Sequence, residues 1–221
     1  MIWFMAKTLN NKFIDLPYLG WQYQYDSLGK KVDSTVYSIP DFELTSFDGT
    51  PITRDSIRDK FIILTTIQND CPDLNNCGMG MVLFNEIIYG NMLDHPKNYH
   101  NVRVLSILTD KNGKPDSIPS PLLKEEMAAY DLKYWWLATG DVSAFYSFPY
   151  YGDLFINYPA TPAANEIGTT AFVNSMVLID KRGCIRGVTG AKSDTALRNF
   201  FDLLKLLKKE EFKADREAQK H

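Results

Sequence analysis

Residues 61–67 restrict the possible folds of this chain more than any other segment, because they form a nearly unbroken apolar run rich in β-branched side chains (Phe-Ile-Ile-Leu-Thr-Thr-Ile). Such a run is typical of a central parallel strand that is covered on both faces. A second run of this kind, residues 102–108, follows a segment in which apolar residues recur at helical spacing between 81 and 92. This order of elements predicts an α/β sheet with helices on both faces.

The remaining segments fit the same plan. They predict a small hairpin over 42–50, an amphipathic helix over 122–132, a short strand over 135–137, a third main strand over 171–179, a turn over 180–183 that leads into another strand, and a closing amphipathic helix over 194–208. Because cysteines follow the first long strand, we expect a thioredoxin-like α/β fold: a central mixed sheet with helices on both faces and an N-terminal hairpin extension.

The length of 221 residues predicts a single domain with extensions at both ends. We expect the domain to span residues 39–209. An irregular leader is expected over 1–38, and a charged tail, where the last helix frays, over 210–221. Residues 1–6 are apolar but fall far short of the ~20 residues that a bilayer span requires, so they are either a packed or disordered terminus or the stub of an anchor.

Composition excludes several classes of protein. Lys and Arg number 24 against 27 Asp and Glu, a net charge of −3, whereas a nucleic-acid-binding module carries a basic stripe. Three cysteines are too few for a disulfide scaffold, and three histidines are too few for a histidine-rich metal site.

Two cysteines, Cys71 and Cys77, lie between the first long strand and the following helix. The amino end of a helix stabilises a thiolate and lowers its pKa, as redox reactivity or soft-metal binding requires. Within a helix, six residues would turn the two thiols roughly 240° apart, too far for a disulfide. Because residues 73–76 have loop composition, we expect the helix to start near Met79 and a loop to bring the thiols together. The alternative is that the two cysteines are unpaired remnants, and Cys184 is expected to be a buried structural thiol.

Several motifs, in this order, resemble the Sco/SenC family, thioredoxin-fold proteins that handle copper for the assembly of cytochrome c oxidase. The resemblance covers residues 16–209. Its motifs are Leu16-Pro17-Tyr18-Leu19-Gly20, Ile39-Pro40-Asp41-Phe42 with Phe47-Asp48-Gly49, Cys71-Pro72, Trp136-Leu137-Ala138-Thr139-Gly140-Asp141, and Phe172-Val173-Asn174-Ser175 followed by Val177-Leu178-Ile179-Asp180-Lys181. Two positions depart from the family pattern: Asn174 stands where the family has its copper-binding histidine, and Asn75 stands where it has its second cysteine.

The resemblance implies an envelope protein that handles copper or thiol redox during cytochrome c oxidase assembly. Cys71 is the expected attacking thiolate, Cys77 is its disulfide partner or second Cu(I) ligand, and Asn174 is expected beside them. A neutral amide is a poor ligand for a soft ion, so copper binding should be weak. His95 and His100 precede the second long strand and are expected to be surface residues at the opposite end of the sheet.

Two other functions remain open. The chain could be a thiol–disulfide oxidoreductase that uses Cys71 and Cys77, or a non-catalytic interaction module that has kept only the fold. Peroxidase chemistry of the peroxiredoxin type is disfavoured, because its P-x-x-x-[ST]-x-x-C motif requires other residues at Leu64 and Gln68.

The expected partners are a respiratory oxidase subunit or a thiol-redox protein, and not a nucleic acid. Contact with a membrane is expected only through an anchor that is not in this chain. The expected location is the periplasmic face of the bacterial cell envelope.

Overall fold

The structure is a computed structural model that describes residues 15–69, 79–159 and 170–218. The strands are β1 (Trp21–Tyr25), β2 (Lys31–Val36), β3 (Glu43–Ser46), β4 (Pro51–Thr53), β5 (Phe61–Gln68), β6 (Val102–Thr109), β7 (Trp135–Gly140), β8 (Pro149–Tyr150), β9 (Asp153–Leu154), β10 (Ser175–Ile179) and β11 (Ile185–Gly190). The helices are α1 (Arg54–Ile57), α2 (Met81–Phe84), α3 (Gly90–Asp94), α4 (Pro96–Tyr99), α5 (Pro121–Met127), α6 (Ser143–Tyr146) and α7 (Asp194–Ala218), with a π-helical turn at Asn85–Tyr89 and 3₁₀ turns at Phe155–Asn157 and Ala171–Asn174.

A seven-stranded mixed sheet forms the centre of the molecule, in the order β11-β10-β5-β6-β7-β3-β4. Strands β5, β6 and β7 are parallel, whereas β10 is antiparallel to β5 and β3 is antiparallel to β7. Strands β3 and β4 form the predicted hairpin. The predicted thioredoxin-like arrangement is therefore confirmed.

Two hydrophobic layers cover the faces of the sheet. Every residue of β5 is buried, and its side chains alternate between the layers, with Ile63 in one and Leu64 in the other. The first layer receives side chains from α7 and from the helix that follows the cysteine segment, and the second receives α6 and the 3₁₀ turn before β10. This double coverage is the physical reason for the continuous apolar runs in the sequence.

The strand predicted over 171–179 is shorter than expected. Residues 171–174 form a 3₁₀ turn, which the Ser175 hydroxyl supports by donating a hydrogen bond to the Ala171 carbonyl (2.7 Å). Only Val177–Ile179 pairs with β5. Asn174 therefore lies at the end of a turn before β10 and not within a strand.

The two ends of the described chain are more regular than predicted. The leader over 1–38, expected to be irregular, contains the hairpin of β1 and β2. At the other end, α7 continues past residue 208 to Ala218, and Glu210 within it pairs with Arg186. The helix predicted over 122–132 is shorter, since α5 ends at Met127.

A buried ion cluster joins these ends to β11. The Arg186 side chain is fully buried and contacts Asp180 at 3.2 Å and Glu210 at 2.7 Å. Its guanidinium also donates a hydrogen bond to the Leu16 carbonyl (2.6 Å), and the Tyr18 ring centroid lies 4.1 Å from it. The Leu16 N–H donates in turn to the Glu210 carboxylate (3.0 Å). The cluster fastens the first described residues to the last helix.

Candidate functional site

The predicted site lies at the edge of the sheet where the parallel strands β5, β6 and β7 end. Carboxyl ends of parallel strands share one edge, and in open α/β sheets this edge is where ligands bind. Cys71 and Cys77 lie outside the described residues, so the site is built here from the residues that flank them, which are Asn69 before the cysteines and Met79 after them.

Asn69 holds the chain firmly just before the cysteines. Its backbone N–H donates a hydrogen bond to the Thr109 carbonyl (2.9 Å). Its side-chain amide donates to the Asp116 carboxylate (2.6 Å) and to the Ile118 carbonyl (2.7 Å), and its Oδ1 accepts from the Ser120 N–H (2.6 Å). The hydrogen bond from Asn69 favours the ionised carboxylate of Asp116 and lowers its pKa below the usual value.

After the cysteines, the chain is held close to Asn174. The Gly80 N–H donates a hydrogen bond to the Ala191 carbonyl (3.1 Å), and the Ala191 N–H donates to the Asn174 carbonyl (2.9 Å). The helix begins at Met81, close to the start near Met79 that the loop composition predicts. The backbone of Ala191 therefore bridges Gly80, at the end of the cysteine segment, and Asn174, where the family has its histidine.

Asn174 is the one member of the predicted site that the structure describes. Its side chain is 7% exposed, and neither Nδ2 nor Oδ1 has a hydrogen-bond partner among the described residues. Burial of a polar group without a partner costs about 1–3 kcal/mol of folding free energy. Five other described residues each have one such atom, whereas Asn174 has two, and it lies at the edge of the sheet where ligands bind, so we take it as a candidate functional residue.

The turn that carries Asn174 is fixed by contacts from two neighbouring segments. The Thr66 hydroxyl, in β5, donates a hydrogen bond to the Val173 carbonyl (3.0 Å). Gly113, in the loop after β6, has φ +79°, and a Cβ atom there would overlap the Phe172 ring. Glycine is thus required at this loop position both for its conformation and for the close approach of the ring.

The histidines lie where the sequence predicts, away from the site. His95 and His100 are exposed, and their Nδ1 atoms lie within hydrogen-bond distance of the carbonyls of Asn91 and Lys97. His100 precedes β6, and this strand begins opposite Phe61, at the amino end of β5. Within residues 15–69, 79–159 and 170–218, no group of three or more His, Cys, Asp or Glu side chains is placed to hold a metal ion.

Cys184 is a free thiol that is half-buried, rather than fully buried as predicted. It lies just before β11 and pairs through an isolated bridge with Ser38. Burial, followed by the nearby Asp180 carboxylate, raises the pKa of the Cys184 thiol above its usual value. A thiol in this environment is protonated at neutral pH and less reactive than an exposed one.

The sequence analysis did not identify Asn69 and Thr66 as contributors to the site. The signal that could have found them is the change from apolar to polar residues at the strand ends, since Gln68 and Thr109 close β5 and β6 and both are buried. Buried polar residues at the carboxyl edge of a sheet are typical of a functional site.

Comparisons with known proteins agree with this fold. No protein-family model matches the sequence, and no curated protein is significantly similar to it. BsSco, a member of the Sco family of cytochrome c oxidase assembly proteins in which a disulfide switch was identified, superposes with a TM-score of 0.53 at 15% identity, covering 78% of this chain and 94% of BsSco. A SCO1/SenC family lipoprotein from Bacillus anthracis superposes with a TM-score of 0.52 at 19% identity, covering 77% of this chain and 95% of the other. At these identities, the likeness shows a shared fold.

Proposed function

We propose that this chain is a Sco-like protein that handles copper, or exchanges thiols and disulfides, during cytochrome c oxidase assembly. Its site would consist of Cys71, Cys77 and Asn174. The observation that carries the proposal is the buried carboxamide of Asn174, which has no hydrogen-bond partner in the described part of the chain and stands where the resemblance expects a copper-binding histidine. The fold shared with BsSco and with the Bacillus anthracis lipoprotein supports it.

Copper, if bound, would be held mainly by the two thiolates. Cu(I) is a soft ion that prefers thiolate ligands, and two thiolates alone can hold it. The Asn174 carboxamide is neutral and offers a hard oxygen in place of an imidazole nitrogen. The donor set therefore fits Cu(I), but with a lower affinity than a site of two cysteines and one histidine.

Thiol–disulfide exchange is the second candidate, and the same carboxamide favours it. Exchange needs an attacking thiolate and a resolving thiol but no third ligand. In this mechanism the Cys71 thiolate attacks a disulfide sulfur of the partner and releases one partner thiolate. Cys77 then attacks the mixed disulfide, so that this chain is oxidised and the partner is reduced. The Asn174 N–H groups would donate hydrogen bonds to the developing thiolate.

For location, the proposal places the protein on the periplasmic face of a bacterial envelope, tethered to the membrane. A lipoprotein of the same fold supports an envelope location. Across the described parts of the chain, no helix combines the length and the apolar character that crossing a bilayer would need. The proposed partner is a respiratory oxidase subunit or a thiol-redox protein.

Anaerobic Cu(I) titration of the reduced protein against a coloured Cu(I) chelator tests the site. We expect weak binding by the natural chain, loss of binding in Cys71→Ser, and binding at least about tenfold tighter in Asn174→His, because imidazole supplies a better third ligand. Asn98→His is the matched control, since Asn98 is exposed on α4, away from the site, and should leave the affinity unchanged.

The same samples separate copper handling from thiol exchange. After mild oxidation and alkylation, mass spectrometry of a non-reduced digest should show Cys71 and Cys77 joined and Cys184 free. Equal copper affinity in the natural chain and Asn174→His would mean that Asn174 is not at the site. Two free thiols at 71 and 77, together with absent copper binding, would favour the non-catalytic interaction module.

A further inference from the structure

The hairpin of β1 and β2 forms a two-stranded ribbon outside the main sheet. Because side chains alternate along β1, Trp21, Tyr23 and Tyr25 share one face. Their partners on β2 are Val36, Ser34 and Lys31, with a shift in register between Gln24 and Tyr25. These three aromatic side chains are 41%, 47% and 61% exposed. We call this surface the aromatic face of the hairpin.

The opposite face of the hairpin is polar. Gln22 and Gln24 lie on it, paired across the strands with Thr35 and Asp33. Every residue of β1 is nevertheless exposed, because no other layer among the described residues covers either face of this strand. The ribbon is thus amphipathic, although both of its sides are in contact with solvent.

Such a ribbon needs a partner. An isolated two-stranded hairpin is marginally stable in water, and a row of exposed aromatic side chains marks an interaction surface. Within the hairpin, the Asp26 carboxylate stabilises the turn by accepting hydrogen bonds from the N–H groups of Leu28 and Lys30. This cap fixes the turn, but it does not remove the aromatic rings from water.

We propose that the aromatic face lies in the headgroup region of a lipid bilayer. Trp and Tyr combine an apolar ring with a polar tip and are enriched at both membrane–water interfaces. The Lys31 ammonium lies 4.0 Å from the Tyr23 ring centroid, so its stem packs beside an aromatic side chain while its charge can stay at the lipid surface. Leu28, at the tip of the turn, is 91% exposed and extends the apolar surface.

The order of the chain supports a lipid partner over a protein. The apolar residues 1–6 precede the hairpin in sequence, and β1 is the first strand after them. Because the ion cluster fixes Leu16, residues 7–15 set the length of this connection, which is at most ~30 Å when fully extended. An apolar segment seated in lipid would therefore keep the hairpin near the same surface. The inference rests on the proposed envelope location and not on the cysteine chemistry.

The net charge of the hairpin predicts which lipids it can bind. Lys30 and Lys31 are balanced by Asp26 and Asp33, so the hairpin has no net charge. Binding should therefore come from the aromatic rings and not from attraction to anionic lipids. It should occur on neutral phosphatidylcholine vesicles and persist at high salt, which weakens electrostatic binding but not apolar burial.

Sedimentation of the full chain with phosphatidylcholine vesicles tests this inference. The triple variant Trp21→Ser, Tyr23→Ser, Tyr25→Ser should bind the vesicles at least about tenfold more weakly. Burial of ~60 Å² of apolar surface in lipid changes the binding constant by a factor of ten, and the three lost rings would bury at least that much. Both proteins keep residues 1–6, so their difference reports the hairpin. The control is Tyr151→Ser, Leu154→Ser, Phe212→Ser, which changes three exposed apolar residues elsewhere and should bind like the natural chain.

Hydrogen exchange of residues 21–36 in the natural chain gives a second readout that needs no variant. Vesicles should slow this exchange. Equal vesicle binding by the natural chain and the triple variant, or hairpin exchange unchanged by vesicles, would overturn the inference. Protection that grows with protein concentration without lipid would also overturn it, in favour of a second copy as the partner. Copper titration of the triple variant should be unchanged, so failure here is distinguishable from failure of the proposed function.

Discussion

Asn174 carries an energetic cost that an apolar residue at the same place would not carry. Its carboxamide is buried and has no partner among the residues that the structure describes, although its backbone carbonyl is paired with Ala191. Natural proteins retain such groups where function requires them, at the expense of stability. Asn174 is therefore expected to lower the stability of the protein and, at the same time, to determine which ligand the site prefers.

This view predicts that Asn174→Leu stabilises the protein. Removal of a buried, unpaired amide should raise the free energy of unfolding of the reduced, metal-free protein by about 1–3 kcal/mol, as measured by urea denaturation. Thr66→Val is the contrasting control. It removes the hydrogen bond to the Val173 carbonyl and should lower the free energy of unfolding by about 1 kcal/mol. A destabilised Asn174→Leu variant would show that the amide has a structural partner.

For single residues, the sequence indicated which side chains are candidates for the site but not which hydrogen bonds they form. The motif around Asn174 predicts from sequence alone that this residue belongs to the site. Its lack of a hydrogen-bond partner could not be predicted, because that property depends on residues far away in the chain. The contact between Thr66 and Val173 is of the same kind, since 107 positions separate the two residues.

One close approach between two elements beside the site contributes to holding both of them in place. Phe172, in the 3₁₀ turn, packs onto Gly113, in the loop after β6. The turn and the loop therefore depend on each other, and the position of Asn174 depends on both.

Gly113→Ala should lower the free energy of unfolding by about 2–4 kcal/mol, because it adds backbone strain at positive φ and overlap with Phe172. Gly49→Ala is the matched control: Gly49 also has a positive φ, of +86°, but has no neighbouring atom within 4 Å of the added Cβ. It should cost only about 1 kcal/mol, from strain alone. Urea denaturation measures both. Equal losses would show that the Phe172 contact contributes nothing, and adding Phe172→Leu should restore part of the Gly113→Ala loss.

Sequence patterns predicted the central elements well and the peripheral ones poorly, for a physical reason. Strands β5 and β6 are buried on both faces, so their composition alone identifies them. The segment 171–174 has the apolar composition of a strand, yet its residues are buried in a turn against the sheet. The hairpin of β1 and β2 alternates in pattern but has no core to stabilise it, so its formation could not be inferred from burial.

At the scale of the whole molecule, the buried cluster around Arg186 connects segments that the sequence does not relate. Leu16 lies 170 positions from Arg186, and Glu210 lies 24 positions from it. No local pattern predicts such a cluster, because a single arginine in a strand looks like an exposed residue. Its role is visible only from the fold.

Arg186→Met should lower the free energy of unfolding by about 3–5 kcal/mol, because it leaves the buried Asp180 carboxylate with only the more distant Arg182 (3.8 Å) and removes the ion pair of Glu210 with Arg186. Arg58→Met is the control: Arg58 pairs with Asp55 on the surface, and its loss should change stability by no more than about 0.5 kcal/mol. Thermal or urea unfolding compares the two variants. A small loss in Arg186→Met would mean that the cluster adjusts without its guanidinium.

The position of this cluster also determines which contacts would resist a force applied to the start of the chain. A pull on the chain before Leu16 would be resisted first at the hydrogen bonds that join Leu16 to Arg186 and Glu210. These bonds lie at β11, the outer strand of the sheet, and on α7. Tension from a surface attachment would thus act first at one rim of the protein, which β10 separates from β5, the strand that leads to the cysteine segment.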